Sequence, residues 1–230
     1  MKRSAPTAPP TATPAALPAA AGPAPRLGLR ERKKQEKDHL IRQSARKLFI
    51  EKGFEATTLR EVAQDADVGF GTVFAYATDK AGLLAMIYVD ELKGLPPLFQ
   101  GVSPKLPLAD QVTMALGKLY GFWSRYPTLS KVVLQQLEFY DTNPHMDLIL
   151  ERRAQAKNEL AAWLVKQQKN GRLGEAVDLA DAADTLFAIY TSCIREWIVT
   201  TPDDIPRGLK RLRALIELPI RGLTGGLTGG

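Results

Sequence analysis

Apolar residues recur along this chain at the three- and four-residue spacing of amphipathic helices, interrupted by glycine and proline. No stretch shows the alternation of apolar and polar residues that marks a β-strand, so the predicted fold class is all-α. The first predicted helix spans about 31–52, and two short helices lie on either side of residues 66–69. The fourth predicted helix begins at about residue 78 and stops before Pro96. The remaining predicted helices span about 108–126, 129–140, 143–169, 176–200 and 205–220.

The stretch from residue 53 to residue 80 restricts the fold most. Positions 59, 62 and 63 are apolar and fall on one face of a short helix. Thr58, three residues before Glu61, has the spacing of a capping box. A four-residue break then leads to a second short helix, at about Phe70 to Tyr76, which buries Val73. Two short helices joined by so tight a break are typical of a helix-turn-helix, whose second helix enters the DNA major groove.

The residue identities around these two helices narrow the interpretation. They are Thr57-Thr58-Leu59-Arg60-Glu61-Val62-Ala63, Val68, Gly71-Thr72-Val73-Phe74, Tyr76 and Lys80. Together they resemble the DNA-binding domain of the TetR (tetracycline repressor-like) family, over about Leu40 to Ile87. Three positions depart from that family: Gly69 stands where serine is usual, Phe74 where tyrosine is usual, and Ala77 where an aromatic residue is usual.

The resemblance implies DNA contacts with distinct roles. Arg60 matches a position that reaches a base in some relatives, and its alternative role is that of a solvated helix residue. Phe70 starts the second helix on its outward side, where its ring either meets a thymine methyl group or packs on the first helix. Gly71 lets the backbone approach DNA closely. Phe74 lacks the hydroxyl that tyrosine gives to phosphate and keeps the packing part of that role. The positions that match phosphate contacts of the family are Thr58, Thr72, Tyr76 and Lys80.

Positive charge is concentrated at and before the first helix. Residues 1–52 hold 12 Lys and Arg against 4 Asp and Glu, whereas the remainder holds 19 against 21. Next to a helix-turn-helix this pattern favours a phosphate-binding arm over a merely solubilising tail. Relatives often touch DNA at the start of this helix, so Arg32 and Lys33 are added to the predicted contacts. The Ala/Pro-rich residues 1–30 predict a disordered tail.

The C-terminal half has more apolar positions than a single buried stripe requires, which favours a shared helical interface. The resemblance implies that the last two helices pair with those of a second chain, giving a homodimer. The predicted interface residues are Leu186, Tyr190, Ile194, Trp197, Leu212, Leu215 and Ile216.

The resemblance also implies that the middle helices enclose a pocket for a small-molecule effector, and the aromatic residues there favour an apolar or aromatic ligand. Aromatic residues at helical spacing are also typical of an ordinary core, and this alternative stays open. Gln135, Gln136 and Thr185 are the polar groups expected to orient the ligand. The candidate lining residues are Met114, Phe122, Trp123, Tyr126, Phe139, Trp163 and Phe187.

No residue pattern indicates an enzyme, a cofactor or a metal site. His39 and His145 lack partners nearby in sequence, and the single Cys193 lies in an apolar helix. Asp178, Asp181 and Asp184 fit the first turns of a helix, where the helix dipole stabilises carboxylates. One cysteine and the absence of a long apolar run favour the cytoplasm and no membrane partner.

The predicted protein is a homodimeric transcriptional regulator on a palindromic double-stranded DNA operator, most simply a repressor released by its effector. An architectural DNA-binding protein without an effector and a helical protein-interaction module are the alternatives. The predicted organisation is a tail over 1–30, a helix-turn-helix domain over 31–94, an effector and dimerisation domain over 95–222, and a flexible end over 223–230.

Overall fold

The computed structural model describes residues 28–136 and 144–224. Within these ranges the chain forms helices and no strands, as the all-α prediction requires. The helices are α1 (Leu29–Glu51), α2 (Leu59–Asp65), α3 (Phe70–Tyr76), α4 (Lys80–Lys93), α5 (Leu108–Trp123), α6 (Pro127–Gln136), α7 (Pro144–Lys169), α8 (Leu179–Thr200) and α9 (Ile205–Thr224).

Local capping explains several of these boundaries. The Thr58 hydroxyl accepts from the Glu61 amide while the Glu61 carboxylate accepts from the Thr58 amide, so the predicted capping box is formed at the start of α2. Gly53 follows α1 with a φ of +94°, a left-handed conformation that favours glycine after a helix end. Asp79 caps α4 and Asp178 caps α8 by accepting backbone amides.

The helices pack in two groups. The short α2 packs on both α1 and α3, and these three helices form the N-terminal helix-turn-helix domain. The larger C-terminal group pairs α5 with α9, α4 with α7, and α8 with both α7 and α9. One contiguous apolar core runs from Ile41 in α1 to Ile220 in α9, with α4 buried along most of its length between the two groups.

Some boundaries differ from those predicted. Leu29 and Arg30, assigned to the tail, begin α1 after Gly28, and residues 1–27 of that predicted tail lie outside the described residues. The helix after Pro107 ends at Trp123 because Pro127 starts a separate helix. The last helix extends to Thr224 and carries Pro219 inside it. No described helix is both long and apolar enough to cross a membrane.

Candidate DNA interface and effector cavity

Two ion pairs fix α2 against the first helix. Lys47 Nζ lies 2.6 Å from the Asp65 carboxylate, which raises the pKa of the lysine and lowers that of the acid. Lys52 pairs with Glu61, the acid of the capping box. Because Glu61 also accepts hydrogen bonds from Thr58, these contacts hold its pKa at about 2. The start and the end of α2 are therefore both tied to α1.

The turn between α2 and α3 depends on one left-handed residue. Asp67 has a φ of +50°, a conformation that aspartate tolerates better than most side chains. Gly69 then caps α3 without a side-chain hydrogen bond, so replacing the usual serine removes one capping contact. Val73 is fully buried and anchors α3 to the core. The opposite side of α3 faces solvent.

Two phenylalanine rings form the outer surface of α3. Phe70 is 43% exposed and Phe74 is 49% exposed, and their ring centroids are 6.1 Å apart. The Arg60 guanidinium lies 5.4 Å from the Phe70 ring centroid, within cation–π distance. Phe70 is thus on the outward side that the sequence predicts, whereas Phe74 is far more exposed than a packing role suggests. The two rings and the Arg60 guanidinium together form an exposed apolar and cationic surface.

The remaining predicted DNA contacts lie around this surface. Gly71 is exposed, and a Cβ placed on it would meet no heavy atom within 4 Å. The Tyr76 hydroxyl donates to the Lys34 carbonyl at 2.9 Å, which ties the end of α3 to the basic first half of α1. Thr58 is exposed and Thr72 is partly buried, and the cations Arg32 and Lys33 are exposed on α1.

Lys80 is placed differently from its predicted phosphate-binding role. Its ammonium donates to the carbonyl oxygens of Phe54 at 3.0 Å and Glu55 at 2.8 Å, and it also pairs with the Glu55 carboxylate at 3.4 Å. The ammonium also lies 4.9 Å from the Phe54 ring centroid. Three acceptors of one turn therefore engage the lysine, which braces the loop before α2.

The family model for bacterial regulatory proteins of the tetR family matches residues 41–87, which span this whole arrangement. A curated HTH-type transcriptional regulator of Bacillus subtilis, YhgD, is 24% identical over 82% of this chain and 97% of its own length. Residues 41–87 therefore form a DNA-binding domain of the TetR family type. The protein is accordingly a DNA-binding transcriptional regulator.

Further TetR family comparisons extend over most of the chain. The transcriptional repressor BepR of Brucella suis is 23% identical over 67% of this chain and 77% of its own length. The structure of FadR from Thermus thermophilus in complex with lauroyl-CoA superposes with a TM-score of 0.56. It is 24% identical and covers 78% of this chain and 93% of the Thermus chain, so it supports the fold.

A cavity of about 110 Å³ lies between the end of α4 and helices α5, α7 and α8. Its lining is mainly apolar, with Leu92 and Leu95 near the end of α4. Four cations also line it, Lys118, Arg152, Arg153 and Arg195, against a single acid, Glu159. Glu159 accepts from the Leu98 amide at 2.6 Å and so braces the loop beside the cavity.

The cavity includes only part of the predicted effector lining. Trp123 and Phe187 line it. Met114 is 49% exposed on the protein surface, Phe122 packs edge-on against Tyr88, and Tyr126 lies under the Arg46 guanidinium. Trp163 stacks on Phe99 with ring centroids 4.9 Å apart. These four are corrections to the predicted lining, and Phe139 lies outside the described residues.

The polar groups expected to orient a ligand also change. Gln135 and Thr185 are exposed, and neither lines the cavity; the Gln136 side chain lies outside the described part of the chain. The cationic lining was missed because α7 is rich in charges on several faces, and its sequence pattern does not distinguish the arginines that face the cavity. A signal was present: Arg152 and Arg153 are adjacent to the apolar Ile149 on the preceding helical turn.

The predicted dimer residues need a similar correction. Leu186, Tyr190, Ile194, Trp197, Leu212 and Ile216 are buried within a single chain, and Leu215 is partly buried. Tyr190 and Ile194 line the cavity instead. Helices α5, α6 and α7 of the same chain therefore cover the apolar residues of α8 and α9 that exceed a single stripe. The exposed sides of α8 and α9 carry other residues, among them Ala188, Ser192, Val199, Ala214 and Leu218.

Proposed function

We propose that this TetR family regulator is a homodimeric repressor of a palindromic operator and that a small amphipathic anion releases it from DNA. The observation that carries the release step is the cavity at the end of α4. Leu92 and Leu95 line this cavity at one end of the helix, while Lys80 at the other end braces the loop before α2. One helix therefore joins the ligand site to the DNA-binding domain.

The exposed side of α8 and α9 supports dimerisation. Ala188, Ser192 and Val199 share one face of α8, and Val199 is 59% exposed. Ala214 and Leu218 share one face of α9, and Leu218 is 65% exposed. Small residues allow two helices to approach closely, and the exposed Val199 and Leu218 add apolar area to this side. A two-fold dimer then requires two half-sites separated by about one helical turn or a multiple of it.

The cavity lining supports an effector with two chemically different parts. The apolar side chains favour a hydrocarbon group, and four cations against one acid favour a negatively charged group. The Arg153 guanidinium lies 5.7 Å from the Phe187 ring centroid, so the charged and the aromatic parts of the lining adjoin. An acyl-CoA, the ligand type of the Thermus FadR complex, combines an apolar chain with anionic phosphates. We propose this ligand class for the cavity.

The size of the cavity supports release by a shift between two conformations. Ligand pockets usually enclose about 300–1,000 Å³, so about 110 Å³ holds only a fragment of such a ligand. A larger ligand has to bind a conformation in which the cavity walls have moved apart. Because the end of α4 forms one wall, that conformation displaces α4 and changes the separation of the recognition helices.

A network of polar side chains connects the cavity to α4, and an ion pair beside it connects α4 to α1. Tyr88 on α4 bonds Ser130 at 2.8 Å, and Ser130 donates to the Trp123 carbonyl at 2.7 Å. Trp123 in turn donates to Tyr190 at 2.9 Å, and both of these residues line the cavity. Beside this network, Arg46 on α1 pairs with Glu91 on α4 at 2.7 Å. Burial raises the pKa of Tyr88 and Tyr190, so both hydroxyls stay protonated in the network.

The test begins with selection of bound fragments from genomic DNA, followed by fluorescence anisotropy on the selected operator. Acyl-CoAs of increasing chain length are then added, with free coenzyme A and uncharged acyl esters as controls. We expect acyl-CoAs alone to release the operator and to raise the thermal midpoint of the protein. Arg152→Gln and Arg153→Gln should weaken the response by roughly ten- to a hundredfold each, since a charge-assisted contact contributes about 1.5–3 kcal/mol.

Lys166→Gln, a change to an exposed cation elsewhere on α7, is the matched control and should leave the response unchanged. Selection of no specific DNA would overturn operator binding. A selected operator that no amphipathic anion releases would overturn the effector class, and would favour an architectural DNA-binding role.

A further inference from the structure

The recognition helix α3 is unusual in its chemistry for a helix that reads bases. Its sequence, FGTVFAY, contains no charged side chain and no amide. Direct readout in the major groove depends mostly on arginine, lysine, asparagine and glutamine, which match the donors and acceptors of base edges. Of the hydroxyls on α3, Thr72 is partly buried and Tyr76 already donates to the Lys34 carbonyl. Hydrogen-bond readout from α3 itself is therefore sparse.

What α3 does present is apolar. Phe70 and Phe74 are four residues apart, one helical turn, and both rings are about half exposed on the same side. Exposed aromatic pairs are costly in water and typically mark a surface that becomes covered. The thymine C5-methyl is the one apolar group that a base pair presents in the major groove.

The surroundings of this pair favour DNA over a protein as the covering partner. Tyr76 ties the end of α3 to Lys34, in a run of exposed cations that also includes Arg30, Arg32 and Lys33. Arg60 adds a further positive charge beside Phe70. A partner must therefore be strongly anionic next to an apolar contact, which is the chemistry of thymine methyl groups flanked by phosphates.

We propose that Phe70 and Phe74 act as a pair that reads thymine methyl groups, and that each operator half-site is recognised largely through these methyls. The ring separation of 6.1 Å corresponds to roughly two base-pair steps at about 3.4 Å each along the duplex. The half-site therefore carries thymines about two steps apart, on either strand. Arg60 supplies the hydrogen-bond readout beside them, and this assignment rests on the operator binding proposed above.

The experiment replaces thymine with deoxyuridine in the half-sites of the selected operator. This removes only the methyl group and leaves the base-pairing edge, the O4 acceptor and every phosphate in place. Burying one methyl contributes about 0.8 kcal/mol, or roughly fourfold in affinity. We expect a loss of about fourfold per contacted methyl, compounded over both half-sites, and no change in binding to non-operator DNA.

Protein variants assign the effect to the two rings. In Phe70→Ala and Phe74→Ala, each exposed ring is removed with little effect on the core, so the folded proteins are compared by their thermal midpoints and helical spectra. Each variant should bind the thymine operator more weakly and lose part of its sensitivity to deoxyuridine. The control is Leu148→Ala, which removes an exposed apolar side chain on α7 and should keep the full sensitivity.

Three results separate the alternatives. Equal binding of thymine and deoxyuridine operators by the unaltered protein would overturn methyl readout while leaving the proposed repressor function intact. Undiminished sensitivity in Phe70→Ala and Phe74→Ala would assign the methyl effect to DNA shape and would overturn the role of the rings. Failure to select any operator would overturn the proposed function and this inference together.

Discussion

At the scale of single residues, Lys80 shows how a lysine near a DNA-binding unit acquires a structural role. Its ammonium is held by two carbonyls and a carboxylate of residues 54–55, together with the Phe54 ring. This arrangement fixes the loop that presents Thr58 and the start of α2. Replacing Lys80 should therefore weaken DNA binding through a loosened loop, in addition to any loss of charge.

Glu61 gives a prediction about acid stability. Its pKa of about 2 in the folded protein lies below its ordinary value of 4.5, because Lys52 and Thr58 stabilise the carboxylate. The stabilisation is therefore present above pH 4.5 and is lost as the pH falls toward 2. The thermal midpoint should drop between pH 5 and pH 3 by a larger amount in the unaltered protein than in Glu61→Gln.

The matched control for this comparison is Glu175→Gln, which changes an exposed glutamate outside the helix-turn-helix. It should reproduce the pH dependence of the unaltered protein. Parallel curves for the unaltered protein and Glu61→Gln would show that the capping box contributes nothing to acid sensitivity.

At the scale of helices, the packing of α9 depends on a glycine. A Cβ on Gly208 would lie 2.7 Å from both Trp197 Cδ1 and Tyr120 Cε1, and neither ring sits at the end of a flexible side chain. Gly208→Ala should lower the free energy of unfolding by about 1–3 kcal/mol, the usual effect of overpacking. Chemical denaturation measures this difference.

A second glycine in a helix serves as the control. A Cβ on Gly121 in α5 would meet no heavy atom within 4 Å, and this residue is exposed. Gly121→Ala should raise the free energy of unfolding by roughly 0.5–1 kcal/mol, because alanine favours helix and loses less entropy on folding. Equal effects of the two substitutions would mean that the contact between α9 and α5 relaxes to accept a side chain.

At the scale of the whole molecule, a test of the dimer has to change the exposed side of α8 and α9 and leave their buried side intact. Glutamate at Leu186 or Ile194 would unfold the chain itself, since both side chains are buried in its core. Leu218→Glu instead places a charge on the exposed side of α9. It should produce folded monomers at micromolar concentration, as measured by sedimentation.

Met114→Glu changes a similarly exposed apolar residue on α5 and should leave the oligomeric state unchanged. If Leu218→Glu sediments as the unaltered protein does, then the dimer, where it forms, uses another surface. If the unaltered protein is itself monomeric at this concentration, the homodimer proposal is wrong.

The sequence by itself determined features that depend on residues close together along the chain. The capping box of Thr58 and Glu61, the bounds of α3 and the left-handed Gly53 follow from hydrogen bonds and backbone preferences within a few residues. The all-α fold class follows from apolar spacing, and the family follows from residue identities within one short motif.

Tertiary structure alone decided which of several possible neighbours each side chain meets. Lys80 binds carbonyls about 25 residues earlier in the chain, and Tyr190 accepts from Trp123 across the core. A helix with apolar residues on several faces, such as α8, does not reveal which face its own chain covers and which remains exposed. Which face is covered depends on the long-range contacts among all the helices. The spacing of apolar residues within one helix carries no information about those contacts.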